Sequence, residues 1–209
     1  KIPVAHGEGN YTADKDTMDT VRKAAKWLEE VTASVEENWP KDVITDLSAA
    51  RTKMSSGDGG AFYKRLADRW GTKNFAPSRK ASMAEAKPLT TAELAQAWEE
   101  HDFAKSRMLD WMKGYDVFIC PTSGRPAQAI DAEAAAVAAA RSSGPSGFPS
   151  TATFNCTGWP VVGVRCGSSA DGKLPIGLQV VGAPWREDIC IAVAAYLEQK
   201  SGGWQKPPV

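Results

Sequence analysis

Apolar residues recur along this chain with two different periods, and the switches between them lay out an order of strands and helices. Ile2-Pro3-Val4-Ala5 reads as a short strand within Lys1 to His6, and Gly7-Glu8-Gly9-Asn10 as a glycine-rich turn. Met18, Val21, Ala25 and Leu28 then repeat at helical spacing and predict a helix from about Asp16 to Val31. Asp14 and Asp16 stand at its N-terminal end, where carboxylates cap unpaired N–H groups and complement the helix dipole. Thr32 to Glu37 returns as a strand, which makes a strand–helix–strand unit.

The middle of the chain predicts helices. Pro40 opens one that runs through Val43, Ile44 and Leu47, and Ser56-Gly57-Asp58-Gly59-Gly60 breaks it. Asp58 is placed to cap the next, Ala61 to Trp70, which Gly71 ends. Residues 72–88, with Pro77, Pro88 and several lysines, read as an exposed connection. The longest helix runs from about Thr91 to Lys113. Thr90 and Glu93 supply a capping box, and Leu94, Trp98, His101, Met108 and Met112 lie along one side. His101 reads as a hydrogen-bonded packing residue on or beside that stripe.

Asp116-Val117-Phe118-Ile119-Cys120, stopped by Pro121, is a continuous apolar run of the kind a strand buried on both faces requires. An alanine-rich helix over 131–140 and a Gly/Pro/Ser loop from Ser142 to Ser150 follow, then a turn or short helix near Ser150 to Asn155. Pro160 to Arg165 and Ile176 to Val181 are strands joined across Asp171-Gly172, an antiparallel hairpin signal. A last helix, Arg186 to Gln199, carries Ile189, Val193, Tyr196 and Leu197 toward the core and stops at Gly202-Gly203.

Composition narrows the class of molecule. The 209 residues carry 25 basic and 25 acidic side chains, so the whole-chain charge gives no footprint for nucleic acid or an anionic membrane. No apolar run reaches the roughly 20 residues that span a bilayer. Cys120, Cys156, Cys166 and Cys190 form no C-x-x-C pair, and they read as buried free thiols of a reducing, cytoplasmic compartment. With two histidines and this cysteine spacing, no metal site is expected, and no cofactor motif is present.

Candidate chemistry lies at strand ends, where open α/β sheets bind ligands. Cys120-Pro121-Thr122-Ser123-Gly124 offers hydroxyls and backbone N–H groups just past a buried strand. Thr151 to Gly158 offers Thr153, Asn155 and Thr157. The same polar groups also suit turn-backbone hydrogen bonds. Ser55-Ser56-Gly57 has the composition of a surface breaker.

Several stretches resemble the amidase signature family, in the family's order. They are Arg107 with Tyr115-Asp116-Val117-Phe118-Ile119-Cys120-Pro121-Thr122, then Phe154-Asn155-Cys156-Thr157-Gly158-Trp159-Pro160, then Gly172-Lys173-Leu174-Pro175-Ile176-Gly177-Leu178-Gln179 with one residue inserted at Lys173. The likeness is weaker at Lys1 to Ala5 and at the helix ending Leu28-Glu29-Glu30. It implies an α/β chain whose mixed β-sheet has helices on both faces, and hydrolysis of a carboxamide by a serine nucleophile aided by a second serine and a lysine. Backbone N–H groups would hold the oxyanion.

The family's glycine- and serine-rich catalytic segment has no counterpart here. Ser55-Ser56-Gly57, Ser142-Ser143-Gly144 and Gly167-Ser168-Ser169 lack its flanking pattern. Residues 1–209 are therefore expected to be the C-terminal part of a single amidase domain, incomplete and inactive alone, with no catalytic residue in this chain. The resemblance assigns Thr122, Ser123, Phe154 and Asn155 to the substrate-cleft wall. Gly158 and Pro160 are expected to shape backbone, and Gln179 to make a structural hydrogen bond. The implied partners are the missing N-terminal catalytic part and a small amide, with no nucleic acid and no membrane; a homodimer is compatible. The loop Ser146 to Thr153 has no acidic residue, which favours a neutral amide. The alternatives are an A-type subunit of a glutamine-dependent tRNA amidotransferase and a non-catalytic binding module on the same scaffold.

Overall fold

A computed structural model describes residues 2–4, 13–127 and 151–206. In it, five strands form one mixed sheet in the order β2-β1-β3-β5-β4. β1 (Ile2–Val4), α1 (Lys15–Glu29) and β2 (Val35–Glu37) make a strand–helix–strand crossover with parallel strands. β1 also lies parallel to β3 (Val117–Pro121). β4 (Val161–Ser168) and β5 (Pro175–Gly182) are the expected hairpin, and β5 pairs antiparallel with β3 as well. Gly172 turns the hairpin at φ +73°, a conformation that favours glycine.

β3 shows why its sequence has no polar position. Side chains alternate across a strand, and here both faces are covered. Val117 and Ile119 join Val21, Ala24 and Leu28 of α1 and Cys190, Ala194 and Leu197 of α7 (Glu187–Ser201) in one core. Phe118 and Cys120 point the other way. They meet Val43 and Ile44 of α2 (Lys41–Ser56), Met108 and Met112 of α5 (Thr91–Met112), and Phe154 of α6 (Thr151–Thr157). The expected mixed sheet with helices on both faces is thus a helix–sheet–helix sandwich with two cores. A fully buried Leu28 or Ile44 contributes about 1.5–3 kcal/mol relative to exposure.

At α1 and α5 the helix ends follow their sequence signals; at α3 (Ala61–Trp70) the N-cap is Gly60, at φ +78°, rather than the expected Asp58. Asp14 Oδ1 accepts from Thr17 N–H at 2.8 Å, and Thr90 and Glu93 form both bonds of the capping box. At α3 the carboxylate of Asp58 accepts from the N–H groups of Gly60 and Phe62. Gly71 then ends α3 at φ +62°.

Three apolar stripes are rotated from expectation, and one element was not foreseen. On α1, Thr17 and Thr20 are buried while Met18 and Ala25 are half-buried. Gly167 allows this, because a Cβ there would lie 2.3 Å from Thr20 Oγ1. The Thr20 hydroxyl is satisfied by the Asp16 carbonyl of its own helix at 2.8 Å. On α5 the buried residues include Ala97 and Ala104, and Trp98 is 52% exposed. The small residues let α2 approach with its own Ala50. On α7, Cys190 sits over Gly182, whose Cβ would be 2.6 Å from the sulfur, so Ile189, Val193 and Tyr196 are left half-buried. Residues 77–85, expected as connection, form α4 (Pro77–Glu85). Proline suits its first turn, and the Arg79 guanidinium lies 4.3 Å over the Tyr63 ring.

The helices are tied at their rims. Arg107 pairs with Asp46 and Lys53 with Glu100, each at 2.6 Å, across α2 and α5. Tyr196 donates to the Trp27 carbonyl at 3.0 Å, and Lys200 pairs with Glu30, across α1 and α7. At the outer edge of the sheet, Ser201 Oγ donates to the Arg165 carbonyl at 2.8 Å, and the Arg165 guanidinium reaches Gln205 Oε1 at 3.1 Å and Ser168 Oγ at 2.8 Å. The turn at Gly7 to Asn10, the alanine-rich helix at 131–140 and the loop at 142–150 lie outside the described residues. Among the described residues no helix is long and apolar enough to cross a membrane.

Candidate functional site

β3 delivers the first pair of candidate residues. Pro121, its last residue, is buried, and the chain emerges at once, so that Thr122 and Ser123 are exposed. Thr122 N–H donates to the Gly177 carbonyl at 3.0 Å. Ser123 Oγ lies 3.5 Å from the Arg125 N–H, and the Gly124 carbonyl accepts from Asp14 N–H at 2.8 Å. The loop is therefore pinned to β5 on one side and to the N-terminus of α1 on the other. The hydroxyls of Thr122 and Ser123 can donate and accept hydrogen bonds, and neither is charged.

α6 delivers the second pair. Phe154 is 3% exposed, with its ring against Phe118 in the core, whereas Asn155 is exposed. Thr157 Oγ1 donates to the Phe154 carbonyl at 3.1 Å and accepts from Trp159 N–H at 3.3 Å. Gly158 leaves the helix at φ +69° and its N–H donates to the Phe154 carbonyl at 2.9 Å. Gly158 thus shapes the backbone, as expected. The two pairs meet β3 at different heights: Phe154 at Phe118, and Thr122 four residues on, about 13 Å along a strand.

Gln179 links the pieces. It is 3% exposed, and its Nε2 donates to the Pro121 carbonyl at 3.2 Å and lies 3.5 Å from Cys120 Sγ. The expected structural hydrogen bond is present, on the strand exit that leads to Thr122. Gly177, two residues earlier on β5, was not singled out by sequence. A Cβ there would stand 3.1 Å from Thr122 Oγ1, so its missing side chain seats the threonine. The signal was a glycine inside an otherwise apolar strand.

No nucleophile is activated among these groups. All four cysteines are free. Burial pushes the Cys120 thiol far up, and it pushes Cys166 up to about 12 and Cys190 up to about 11. Burial also raises the half-buried Cys156. A protonated thiol is a poor nucleophile. His101 is buried on α5 beside Trp98, and its Nδ1 lies 3.5 Å from Asp102 without making a hydrogen bond. The packing role is as expected, but the hydrogen bond expected with it is not made at Nδ1. Among the described residues no group of three or more His, Cys, Asp or Glu side chains could hold a metal ion.

An apolar groove of about 500 Å³ opens at the other end of the sheet, lined by Leu28, Val31, Val117, Ile189, Val193 and Tyr196 among others. It touches β3 at Val117, its first residue, whereas Thr122 follows the last. This groove and the candidate chemistry therefore lie at different ends of the sheet, and the hydrogen-bonding groups favour the Thr122 end.

The Amidase family model matches residues 1–191. Human fatty-acid amide hydrolase 2 is 43% identical over 63 residues, which are 30% of this chain and 12% of that protein. The 6-aminohexanoate-cyclic-dimer hydrolase of Paenarthrobacter ureafaciens is 36% identical over 96 residues, 42% of this chain and 19% of that protein. Among solved structures, 6-aminohexanoate cyclic dimer hydrolase complexed with substrate superimposes with a TM-score of 0.71 at 22% identity, covering 99% of this chain and 46% of that one. The peptide amidase from Stenotrophomonas maltophilia gives 0.70 at 18% identity, covering 99% and 44%. The chain thus has the fold of a part of these proteins and spans under half the length of each.

Proposed function

The chain belongs to the amidase family, and we propose that it is the C-terminal part of an amidase that hydrolyses a carboxamide to an acid and ammonia or an amine. The serine nucleophile is supplied from outside these residues. One observation carries this reading: the family's terminal motifs occur in order from Tyr115 to Gln179, while no glycine- and serine-rich catalytic segment occurs in the 209 residues. The name of one similar protein, fatty-acid amide hydrolase 2, supports the reaction class.

In this reading Thr122, Ser123 and Asn155 present polar groups to a substrate cleft, and Phe154 backs that wall from the core. They bind and orient, and they move no proton in the reaction. The nucleophile, its base and the oxyanion donors belong to the N-terminal catalytic part, which is the proposed partner. A reducing, cytoplasmic compartment belongs to the same reading and is supported by the four free cysteines. The loop before α6 offers no acid to hold a substrate ammonium, which favours a neutral amide over the substrate of an amidotransferase subunit.

The test is an amidase assay over short and long aliphatic and aromatic amides. The 209-residue chain alone is expected to give no saturable turnover, and to gain it when joined to a segment carrying the glycine/serine signature. Saturable hydrolysis by the chain alone would overturn the claim that its nucleophile lies elsewhere.

A further inference from the structure

Pro121 C=O and Thr122 N–H belong to one peptide plane, and β5 holds both ends of it. The carbonyl accepts from Gln179 Nε2 at 3.2 Å, and the N–H donates to the Gly177 carbonyl at 3.0 Å. The ladder pairing of β3 with β5 ends at Pro121 and Leu178, so this is the last peptide before the chain leaves the sheet. Gln179 is buried, on a strand whose neighbours Leu178, Val180 and Val181 are all apolar. An amide in that setting is costly unless it is hydrogen-bonded, and Cys120 Sγ and the Pro121 carbonyl, which accept from it, both belong to the exit of β3.

We infer that Gln179 is a positioning residue: with Gly177 it clamps the Pro121–Thr122 peptide plane and so fixes the direction in which Thr122 and Ser123 present their hydroxyls. A single hydrogen bond leaves a peptide plane free to rotate about the line of that bond. Two bonds, on opposite ends of the plane, remove that freedom. Gly177 adds a steric limit, because Thr122 Oγ1 lies where its Cβ would make a 3.1 Å contact. The consequence for substrate binding rests on the cleft-wall reading given above; the clamp itself does not.

The clamp is tested by amide hydrogen exchange on the 209-residue chain carrying Gln179→Met, which keeps side-chain length and removes the donor. The expected result is at least a tenfold faster exchange of the Thr122 N–H, with the amides of the β4–β5 ladder unchanged. Unchanged exchange at Thr122, or an equal rise along the whole ladder, overturns the inference, since the second outcome is general destabilisation. Gly177→Ala provides an independent arm if the first variant does not fold. It should disturb Thr122 in the same way, and adding Thr122→Ala should restore the protection of that amide. Failure of the second substitution to restore it also overturns the clamp. In the complete amidase, Gln179→Met should raise KM for the amide more than it lowers kcat. Faster exchange at Thr122 with KM unmoved would leave the clamp standing and remove Thr122 from the cleft wall.

Discussion

The rings of Phe118 and Phe154 lie 6.2 Å apart, centroid to centroid, at an interplanar angle of 59°. This contact fastens α6, a helix of only seven residues, to the centre of the sheet. Phe154→Ala is expected to cost about 3–5 kcal/mol, since a buried aromatic leaves a cavity that rigid neighbours cannot fill. In a double-mutant cycle with Phe118→Ala, about 0.5–1.5 kcal/mol of coupling should appear beyond the separate losses. Urea denaturation of the four proteins measures both. Additive losses would mean that the rings do not interact as described.

Thr20 of α1 packs directly over Gly167, which makes that glycine more sensitive to substitution than Gly163 on the same strand. Gly167→Ala should destabilise by about 1–3 kcal/mol, because its methyl must displace Thr20 Oγ1. Gly167→Ala combined with Thr20→Ala should recover most of that loss. No recovery would place the strain in the backbone of the bulge near Arg165 and Gly167 instead.

Stability should fall on both sides of a plateau through the Glu30–Lys200 tie. Hydrogen bonds from Lys200 and then Tyr196 hold the Glu30 carboxyl below its ordinary 4.5. Its contribution is present above pH 4.5 and is lost as pH falls through the lower folded value. The Lys200 ammonium is raised above 10.5, chiefly by its bond to Glu30, so its contribution is present below pH 10.5 and is lost as pH rises through the higher folded value. Both groups are solvent-exposed, so the effect is small and screened by salt. Glu30→Gln should lower Tm near neutral pH by about 2 °C and flatten the acid flank of a Tm–pH profile. An acid flank identical to that of the parent chain would count against the tie.

Thiol chemistry separates Cys156 from the rest. Cys120, Cys166 and Cys190 are buried, and Cys156 is half-exposed. Titration of the native chain with a chromogenic disulfide at pH 8 should show one slow-to-moderate thiol and three that react only on unfolding. Cys156→Ser should remove the first phase. Rapid reaction of all four would show that the cores open readily.

Where a local signal sufficed, the fold was legible in the sequence. The uniform apolar run of β3, the Asp-Gly turn of the hairpin and the Thr90–Glu93 box each carry their own geometry. Helix faces were less legible, because their rotation depends on what the opposing surface lacks. Thr20 is buried because Gly167 has no side chain, and Cys190 because Gly182 has none. Those partners lie far away along the chain, and no period within α1 or α7 encodes them. At the candidate site, Thr122 and Gln179 could be picked out by type and position. The shared peptide plane between them could not, since it depends on the register of β3 against β5.

That register has a consequence for how the molecule is made. β5 leaves the ribosome after the other four strands of this sheet, yet it lies between β3 and β4 and supplies Leu178 and Val180 to one core and Val181 to the other. Until residues 175–182 are available, β3 has an open edge where β5 will pair, and neither core is complete. The helices can form during synthesis, but the sheet closes only once residues 175–182 have emerged, so a nascent chain stalled before Pro175 exposes Phe118 and Ile119 to chaperones and proteases.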